Sequence, residues 1–392
     1  MASTVILAAT RTPLGAFQGA LAAVPAPRLG AAAIRGALDQ ARTQAADVTD
    51  VFMGEVLQAG VGQAPARQAA IHAGLPHATR CTTIHKVCGS GLEAIVQGHR
   101  ALALGDATLV VAGGMENMSA APYLLPKART GFRLGHQQMV DALIHDGLWD
   151  PYSDQHMGSC AEQCATRYGL TREDQDAYAT ASFRRAQAAQ AAGLFAAEIT
   201  PVKVPGARDQ VTLVEHDEGP AKVNFEKIPT LRPAFEKTGT ITAANASTLN
   251  DGAAALLLTN DRHAHERGLQ PIARLVSHGC HAHDPLWFTT APVAAARQAL
   301  ARAGWQVGDV DLWEVNEAFA VVPLAFAREL GVPAEKMNVR GGAIALGHPI
   351  GASGARIVVT LLAALRERGL KRGVATICIG GGEGLAVCIE VG

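Results

Sequence analysis

The sequence of 392 residues predicts an α/β protein made of two similar halves, each a layered α-β-α unit, with a loop-rich region inserted between them. Three observations carry that expectation. Strand and helix patterns alternate through the first 118 residues and again after residue 271. Each half sets a reactive side chain in glycine-rich backbone at the start of an apolar helix. Between the halves the alternation breaks, and Pro122, Pro126, Pro151, Pro201, Pro205, Pro220, Pro229 and Pro233 punctuate a polar stretch.

The elements follow in order. Residues 5–8 read as a strand, 29–40 as a helix and 51–54 as a strand. Behind Cys88, the apolar residues Leu92, Ile95, Val96, Leu102 and Ala103 fall at helical spacing, and the strand at 107–112 ends in Gly113-Gly114. Within the inserted region, 158–168 and 172–192 read as helices. The last third holds a helix at 293–303, a strand at 312–315, a helix at 318–330 and a glycine-rich loop around His348. A helix apolar at Ile357, Val358, Leu361, Leu362 and Leu365 and strands at 374–379 and 385–390 complete it. Alternation of this kind implies helices covering a largely parallel sheet. The expected division is 1–118 for the first half with 247–270 returning to it, 119–246 for the inserted loop domain, and 271–392 for the second half. A faint internal duplication would place the reactive residues of both halves at their shared boundary, where α/β proteins bind ligands.

Composition narrows the function classes. Hydrophobic residues are 48% and charged residues 18% of the chain, and the net charge is -1. That balance leaves no cationic footprint for nucleic acid and no polybasic membrane anchor. No apolar run approaches the ~20 residues of a membrane helix. Residues 1–10 read as a strand rather than a cationic leader, so the expected setting is the cytoplasm. Seven cysteines at irregular spacing do not form a disulfide framework.

Two of those cysteines carry the chemistry. Cys88, in Lys86-Val-Cys-Gly-Ser-Gly-Leu92, precedes a helix whose free N–H groups and positive dipole end are expected to favour its thiolate. Gly89 and Gly91 are expected to keep the sulfur open to an acyl group. Cys378 closes a buried strand and is followed by Gly380, Gly381 and Gly382, a turn whose N–H groups suit an oxyanion. With His348 in Gly347-His-Pro-Ile-Gly351, the pair suggests acyl-thioester chemistry with a separate thiol for proton transfer. Cys81, Cys280 and Cys388 read as small buried hydrophobes. Cys160 and Cys164 sit four apart on a helix without the His or Cys partners of a tetrahedral site, so no metal is expected. The inserted region carries Lys203, Arg208, Lys222, Lys227 and Arg232, which would suit a phosphorylated substrate handle or simply face solvent.

These motifs occur together in a telling order: Arg11-Thr-Pro-Leu-Gly15, Lys86 to Gly91, Gly113-Gly-Met-Glu-Asn-Met-Ser119, Asn245-Ala-Ser247 with Asn250-Asp-Gly-Ala253, Asn316-Glu-Ala-Phe319, Gly341 to Gly354, and Cys378-Ile-Gly-Gly-Gly382. Over essentially its whole length the chain resembles the thiolases, the family of acetyl-CoA acetyltransferases and 3-oxoacyl-CoA thiolases. The resemblance implies that Cys88 is the nucleophile carrying the acyl group and His348 the base that takes its proton. Cys378 is then the acid and base at the α-carbon of acetyl-CoA. Asn316 holds a water that forms one oxyanion hole with His348, and the N–H groups of Cys88 and Gly380 form the other. His156, Met157, Lys222, Phe235, Ala243, Ser247, Ala318 and Phe319 are implied as coenzyme A contacts, and Trp287 and Phe288 as walls of the acyl pocket. Substrates are acetyl-CoA, acetoacetyl-CoA or another 3-oxoacyl-CoA, and CoA itself, with no separate cofactor. A homotetramer, a dimer of dimers, is implied, with Tyr123, Leu124, Leu125 and Phe132 as its apolar anchors or else packed on their own loop domain.

The resemblance also has departures. Phe288-Thr-Thr-Ala-Pro292 stands where short-chain members commonly read Met-Gly-x-Gly-Pro, which reshapes the acyl pocket. Ala221 and Lys222 follow the Asp217 stretch where an arginine is common, Ala244 and Thr248 replace usual glycines, and Arg340 replaces a neutral polar residue. The expected activity is the reversible Claisen condensation of two acetyl-CoA. A degradative thiolase for longer or substituted acyl chains is the alternative within the class. A decarboxylating ketosynthase would not need Cys378, and a non-catalytic acyl-CoA scaffold would not need Cys88, His348, Asn316 and Cys378 together.

Overall fold

Among the described residues nine strands pair in sequence across one twisted sheet, with the short strand Gly15–Ala16 added beside Asn250 and Asp251, and their order displays the duplication. The computed structural model describes residues 3–206 and 210–392; Arg208 lies outside them. The strands are β1 (Thr4–Arg11), β2 (Asp50–Gly54), β3 (Arg80–Ile84), β4 (Leu109–Asn117), β5 (Asn250–Asn260), β6 (Ala273–Ala282), β7 (Leu312–Val315), β8 (Arg372–Ile379) and β9 (Glu383–Val391). Outwards from the centre, one side runs β1-β5-β4-β2-β3 and the other β6-β9-β8-β7, followed by a bridge between Trp313 and Met337. Each side thus runs first, last, last but one, second. β1 and β6 meet antiparallel through Val5 and Ile6, which joins the two halves.

The sheet is mixed rather than largely parallel. Only β2/β3, β2/β4 and β7/β8 are parallel among these neighbours. The physical reason lies in the connections: a tight glycine turn can join only antiparallel strands, as at β8/β9, and β5 returns from the inserted region to run antiparallel between β1 and β4.

Helices α1 (Ala26–Ala41) and α2 (Pro65–Ala73) cover one face of the first half; α7 (Ala291–Ala303) and α8 (Val321–Leu330) lie with the second. The opposite face of both halves is covered by α3 (Ser90–Leu104) and α10 (Ile350–Glu367), which pack on each other. Strand β5 shows why its sequence is apolar throughout: Ala254, Leu256 and Leu258 face α3 and α10, while Ala253, Ala255 and Leu257 face α1. Each buried leucine there is worth about 1.5–3 kcal/mol relative to exposure.

Glycines let this centre close. A Cβ at Gly91 would stand 2.9 Å from Ala355 N and 3.0 Å from Gly351 O, and one at Gly354 would stand 2.4 Å from Leu92 N. One at Gly89 would meet Ile379 Cδ1 at 2.4 Å. Gly91 therefore lets the backbone of α10 approach and Gly89 makes room for the Ile379 and Leu385 side chains, rather than keeping an open approach to sulfur as expected from the sequence. Strand β4 likewise continues through Gly113 and Gly114 instead of turning there, because a Cβ at Gly114 would lie 2.1 Å from Gly351 O.

Residues 119–246 contribute no strand to this sheet among the described residues. They hold α4 (Met157–Tyr168), α5 (Arg172–Ala191) and three two-stranded ribbons. Arg11 of β1 anchors this region: fully buried, its guanidinium bonds Glu198 at 2.6 Å and Asp217 at 2.7 and 2.9 Å. Arg340 joins the same network, 3.4 Å from Glu198. Among the described residues no helix is long and apolar enough to cross a membrane.

Candidate active site

Cys88 occupies a strained turn between β3 and α3. Val87 just before it has φ +44°, a left-handed conformation that a β-branched residue adopts only when its surroundings impose it. Ser90 supplies the restraint: its Oγ donates to Val87 O at 2.7 Å and accepts from Lys86 N at 2.8 Å. The sequence reading passed over Ser90, whose signal was a hydroxyl at the first turn of a helix. Beside the turn, Lys86 pairs with Glu383 at the start of β9, tying the Cys88 loop to the strand behind the Gly380 turn.

Burial pushes the Cys88 thiol up to about 11, although the N–H groups of Gly380 and of Cys88 itself oppose the shift. The expected thiolate is thus not the resting form, because desolvation outweighs the helix terminus. Cys378, wholly buried near the end of β8, is raised well above the usual thiol range by burial and by Cys88. Gly381 and Gly382 have φ of +88° and +85°, which makes the turn after it a glycine turn. A Cβ at Gly380 would stand 3.3 Å from Met157 Sδ and 3.4 Å from Val87 Cγ1, so this turn, α4 and the Cys88 turn converge.

His348 stands at the entry to α10, opposite the equivalent entry to α3. Its backbone N–H bonds Asn250 Oδ1 at 3.1 Å and Thr248 O at 3.2 Å. Gly347 before it has φ +116°, and a Cβ there would strike Asn250. The ring Nδ1 lies 2.6 Å from Ser353 Oγ, which donates its own proton to Pro349 O at 2.9 Å. Ser353 must then accept from Nδ1–H, and the lone pair falls on Nε2, which has no protein partner. Burial, followed by Arg356, lowers this imidazole to about 3, so it is neutral at rest. Asn316 follows β7, fully buried, with both side-chain amide atoms unpartnered. A buried unpaired base and a buried unpaired amide are costly unless something is to occupy them.

A cleft of about 1200 Å³ leads to this place from the inserted region. It is lined by His156, Lys222, Phe235, Ala243, Ser247 and Phe319 of the expected coenzyme A contacts, by Lys227, and by His348. Met157 and Ala318 do not line it: Met157 packs beside Gly380, and Ala318 is buried with its carbonyl accepting Ser247 N–H at 2.9 Å. The His156 ring stacks on Phe235 at 4.7 Å and caps α4 through Gly158 N. Lys203 and Arg232 are not on the lining. Cys88 packs with Met118, Leu143 and Ile350, three residues that are.

Of the two residues expected to wall the acyl pocket, neither lines the cleft; Phe288 is buried, 6.4 Å from Phe319 ring to ring, in the cluster that holds Met157 and Cys378. Trp287 is half-buried, its ring 4.6 Å from the Arg167 guanidinium. Cys164 and Cys388 are buried, Cys81 is partly so, and Cys280 is exposed on β6, contrary to its expected burial. Tyr123, Leu125 and Phe132 are exposed rather than packed on their own loops.

Comparison with known proteins agrees with this architecture. The thiolase N-terminal domain model matches residues 4–262 and the thiolase C-terminal domain model residues 269–391. The chain is 53% identical to an acetyl-CoA acetyltransferase of Pseudomonas aeruginosa over 390 residues, covering 99% of each. It is 50% identical to one of Cupriavidus necator over 391 residues, covering 100% of each. The crystal structure of the Bacillus anthracis acetyl-CoA acetyltransferase superposes with a TM-score of 0.97 at 40% identity, covering 100% of this chain and 99% of that one. The chain belongs to the thiolase family.

Proposed function

We propose that the protein catalyses the reversible condensation of two acetyl-CoA to acetoacetyl-CoA and CoA, through an acetyl group carried on Cys88. The observation that carries this reading is a partly buried Cys88 thiol held by the N–H groups of Gly380 and Cys88 and coupled to the buried Cys378, together with a His348 Nε2 and an Asn316 amide that are buried without partners among the described residues. The full-length likeness to acetyl-CoA acetyltransferases supports it.

His348 Nε2 takes the Cys88 proton as the sulfur attacks the thioester carbonyl. The N–H groups of Cys88 and Gly380 hold the oxyanion, and the departing CoA takes the Cys378 proton, which leaves Cys378 as the thiolate base for the next step and His348 holding the proton that Cys88 will regain. A second acetyl-CoA then loses an α-proton to Cys378, its enolate oxygen held on the side of His348 and Asn316. The carbanion attacks the acetyl-cysteine, the carbon–carbon bond forms, and the Cys88 thiolate departs and is reprotonated. Thiolysis is the same path reversed. CoA and its thioesters are substrates, and the residues need no further group to move these protons.

The cleft supports assigning 119–246 to coenzyme A binding, with Lys222 and Lys227 near the phosphates. Exposed Tyr123, Leu125 and Phe132 support oligomer contacts, for which we propose a homotetramer in a cytoplasmic setting that keeps the thiols reduced. Buried Phe288 favours a short acyl group over the longer chains of a degradative thiolase. The test is CoA-dependent cleavage of acetoacetyl-CoA beside a longer 3-oxoacyl-CoA. Preference for the short substrate is expected; preference for the long one reverses the assignment, and cleavage of neither ends it.

A further inference from the structure

Asn316 and His348 reach the site on different segments, and one buried carboxylate joins the supports of both. Glu317, wholly buried, follows Asn316 in the chain. Its Oε1 accepts from Tyr178 Oη at 2.9 Å and Asn338 Nδ2 at 3.0 Å. Its Oε2 accepts from Ser182 Oγ at 2.7 Å and from Ile344 N at 3.1 Å. Asn338 grips the end of β7 as well, with Oδ1 accepting from Val315 N and Nδ2 donating to Val315 O, both at 2.8 Å. Ile344 lies in α9 (Ala343–Leu346), the short helix that leads into His348. A Cβ at Gly342 would stand 2.4 Å from Glu317 Cδ, so the loop before α9 is folded directly onto the carboxylate.

We infer that Glu317 is a positioning residue that sets the Asn316 amide against His348 for removal of the α-proton and carbon–carbon bond formation. The inference rests on the thiolase reading above. Four donors saturate the carboxylate. The Tyr178 and Ser182 hydroxyls can rotate to accept instead, but Asn338 is held by Val315 and the Ile344 N–H by its helix. A glutamine therefore sets an NH₂ against an N–H group whichever way it turns. The displacement falls on Asn316, whose backbone N–H bonds Thr376 O at 3.0 Å and whose side chain has no partner among the described residues. His348 keeps Asn250, Thr248 and Ser353, and the Cys88 and Gly380 turns belong to other strands.

Two exchange reactions separate the steps. Transfer of acetyl between acetyl-CoA and labelled CoA forms and breaks only the Cys88 thioester. Loss of deuterium from trideuteroacetyl-CoA to water breaks the α C–D bond at Cys378. In Glu317→Gln, deuterium loss and net condensation should fall about 100-fold, and acetyl transfer less than about tenfold, as for weakening one oxyanion site of two. Ser182→Ala, which leaves three of the four donors, should show the same ordering with a smaller loss and serves if Glu317→Gln does not fold. Equal loss in both exchanges, or loss in neither, overturns the inference. Absence of acetyl transfer in the wild type overturns instead the reading beneath it.

Discussion

Ser353 Oγ stands 2.6 Å from His348 Nδ1 and donates a hydrogen bond to the carbonyl of Pro349, the residue that caps α10. The serine thereby fixes which nitrogen of the ring is a base. Replacing it by alanine frees the ring to turn and to adopt the other tautomer. Ser353→Ala should lower kcat by up to about 100-fold with little change in KM, the scale of a misplaced general base. Steady-state kinetics on acetoacetyl-CoA would check it, and an unchanged kcat would remove the serine from the account.

Cys88 rests as a thiol beside a neutral imidazole, since burial raises the one to about 11 and lowers the other to about 3. Without substrate, the thiolate fraction should grow about tenfold per pH unit up to that region. Alkylation by iodoacetamide should therefore climb steadily from pH 7 to 10. A plateau below pH 8 would show that the helix terminus wins after all.

Glu55 is wholly buried with both oxygens unpartnered, and burial and Glu116 raise it from 4.5 to about 9. The folded chain keeps this proton while the unfolded chain releases it near pH 4.5. Stability contributed by the protonated form is complete below pH 4.5 and is lost as pH rises towards 9, at no more than about 1.4 kcal/mol per unit. Glu55→Gln removes the titration, so its advantage in melting temperature over wild type should widen between pH 5 and pH 9. A constant difference would contradict this.

The contact between α3 and α10 tolerates no added carbon. Gly354→Ala would push a Cβ onto Leu92 N and separate the helices that begin beside Cys88 and His348. A loss of about 1–3 kcal/mol is expected from overpacking, with a drop in kcat beyond what the unfolded fraction explains. Chemical denaturation and kinetics on the same preparation would show it.

Phe288 closes the space beside Phe319. Phe288→Ala should raise the kcat/KM of a longer 3-oxoacyl-CoA relative to acetoacetyl-CoA by about tenfold or more, since one to two buried methylenes discriminate by that much. Trp287→Ala, which removes the contact with Arg167 and leaves Phe288 against Phe319, should not. If Trp287→Ala changed selectivity as much as Phe288→Ala, the turn itself would be the determinant.

The alternation of strand and helix, the inserted region and the pairing of Cys88 with Cys378 and His348 were all legible in the sequence. They depend on local signals: apolar periodicity, proline spacing and glycines beside reactive groups. The partners that hold the site were not legible. Ser90, Asn250, Glu317 and Ser353 are ordinary polar residues, and what distinguishes them is a neighbour 3 to 139 residues away, as between Ser90 and Val87 or between Glu317 and Tyr178.

The same division explains the corrections. Residue type and spacing by themselves determined that this chain makes an α/β fold, and they singled out Cys88, Cys378 and His348 as the candidates for its chemistry. Only the tertiary structure decided the direction of strands beside a tight turn, the packing of Trp287 against Arg167 and of Phe288 against Phe319, and the use of Gly91 for helix contact and of Gly89 for contact with Ile379 and Leu385. It also decided the protonation of Cys88, because a thiol's charge depends on how much water the packed chain leaves around it, and no single segment carries that information.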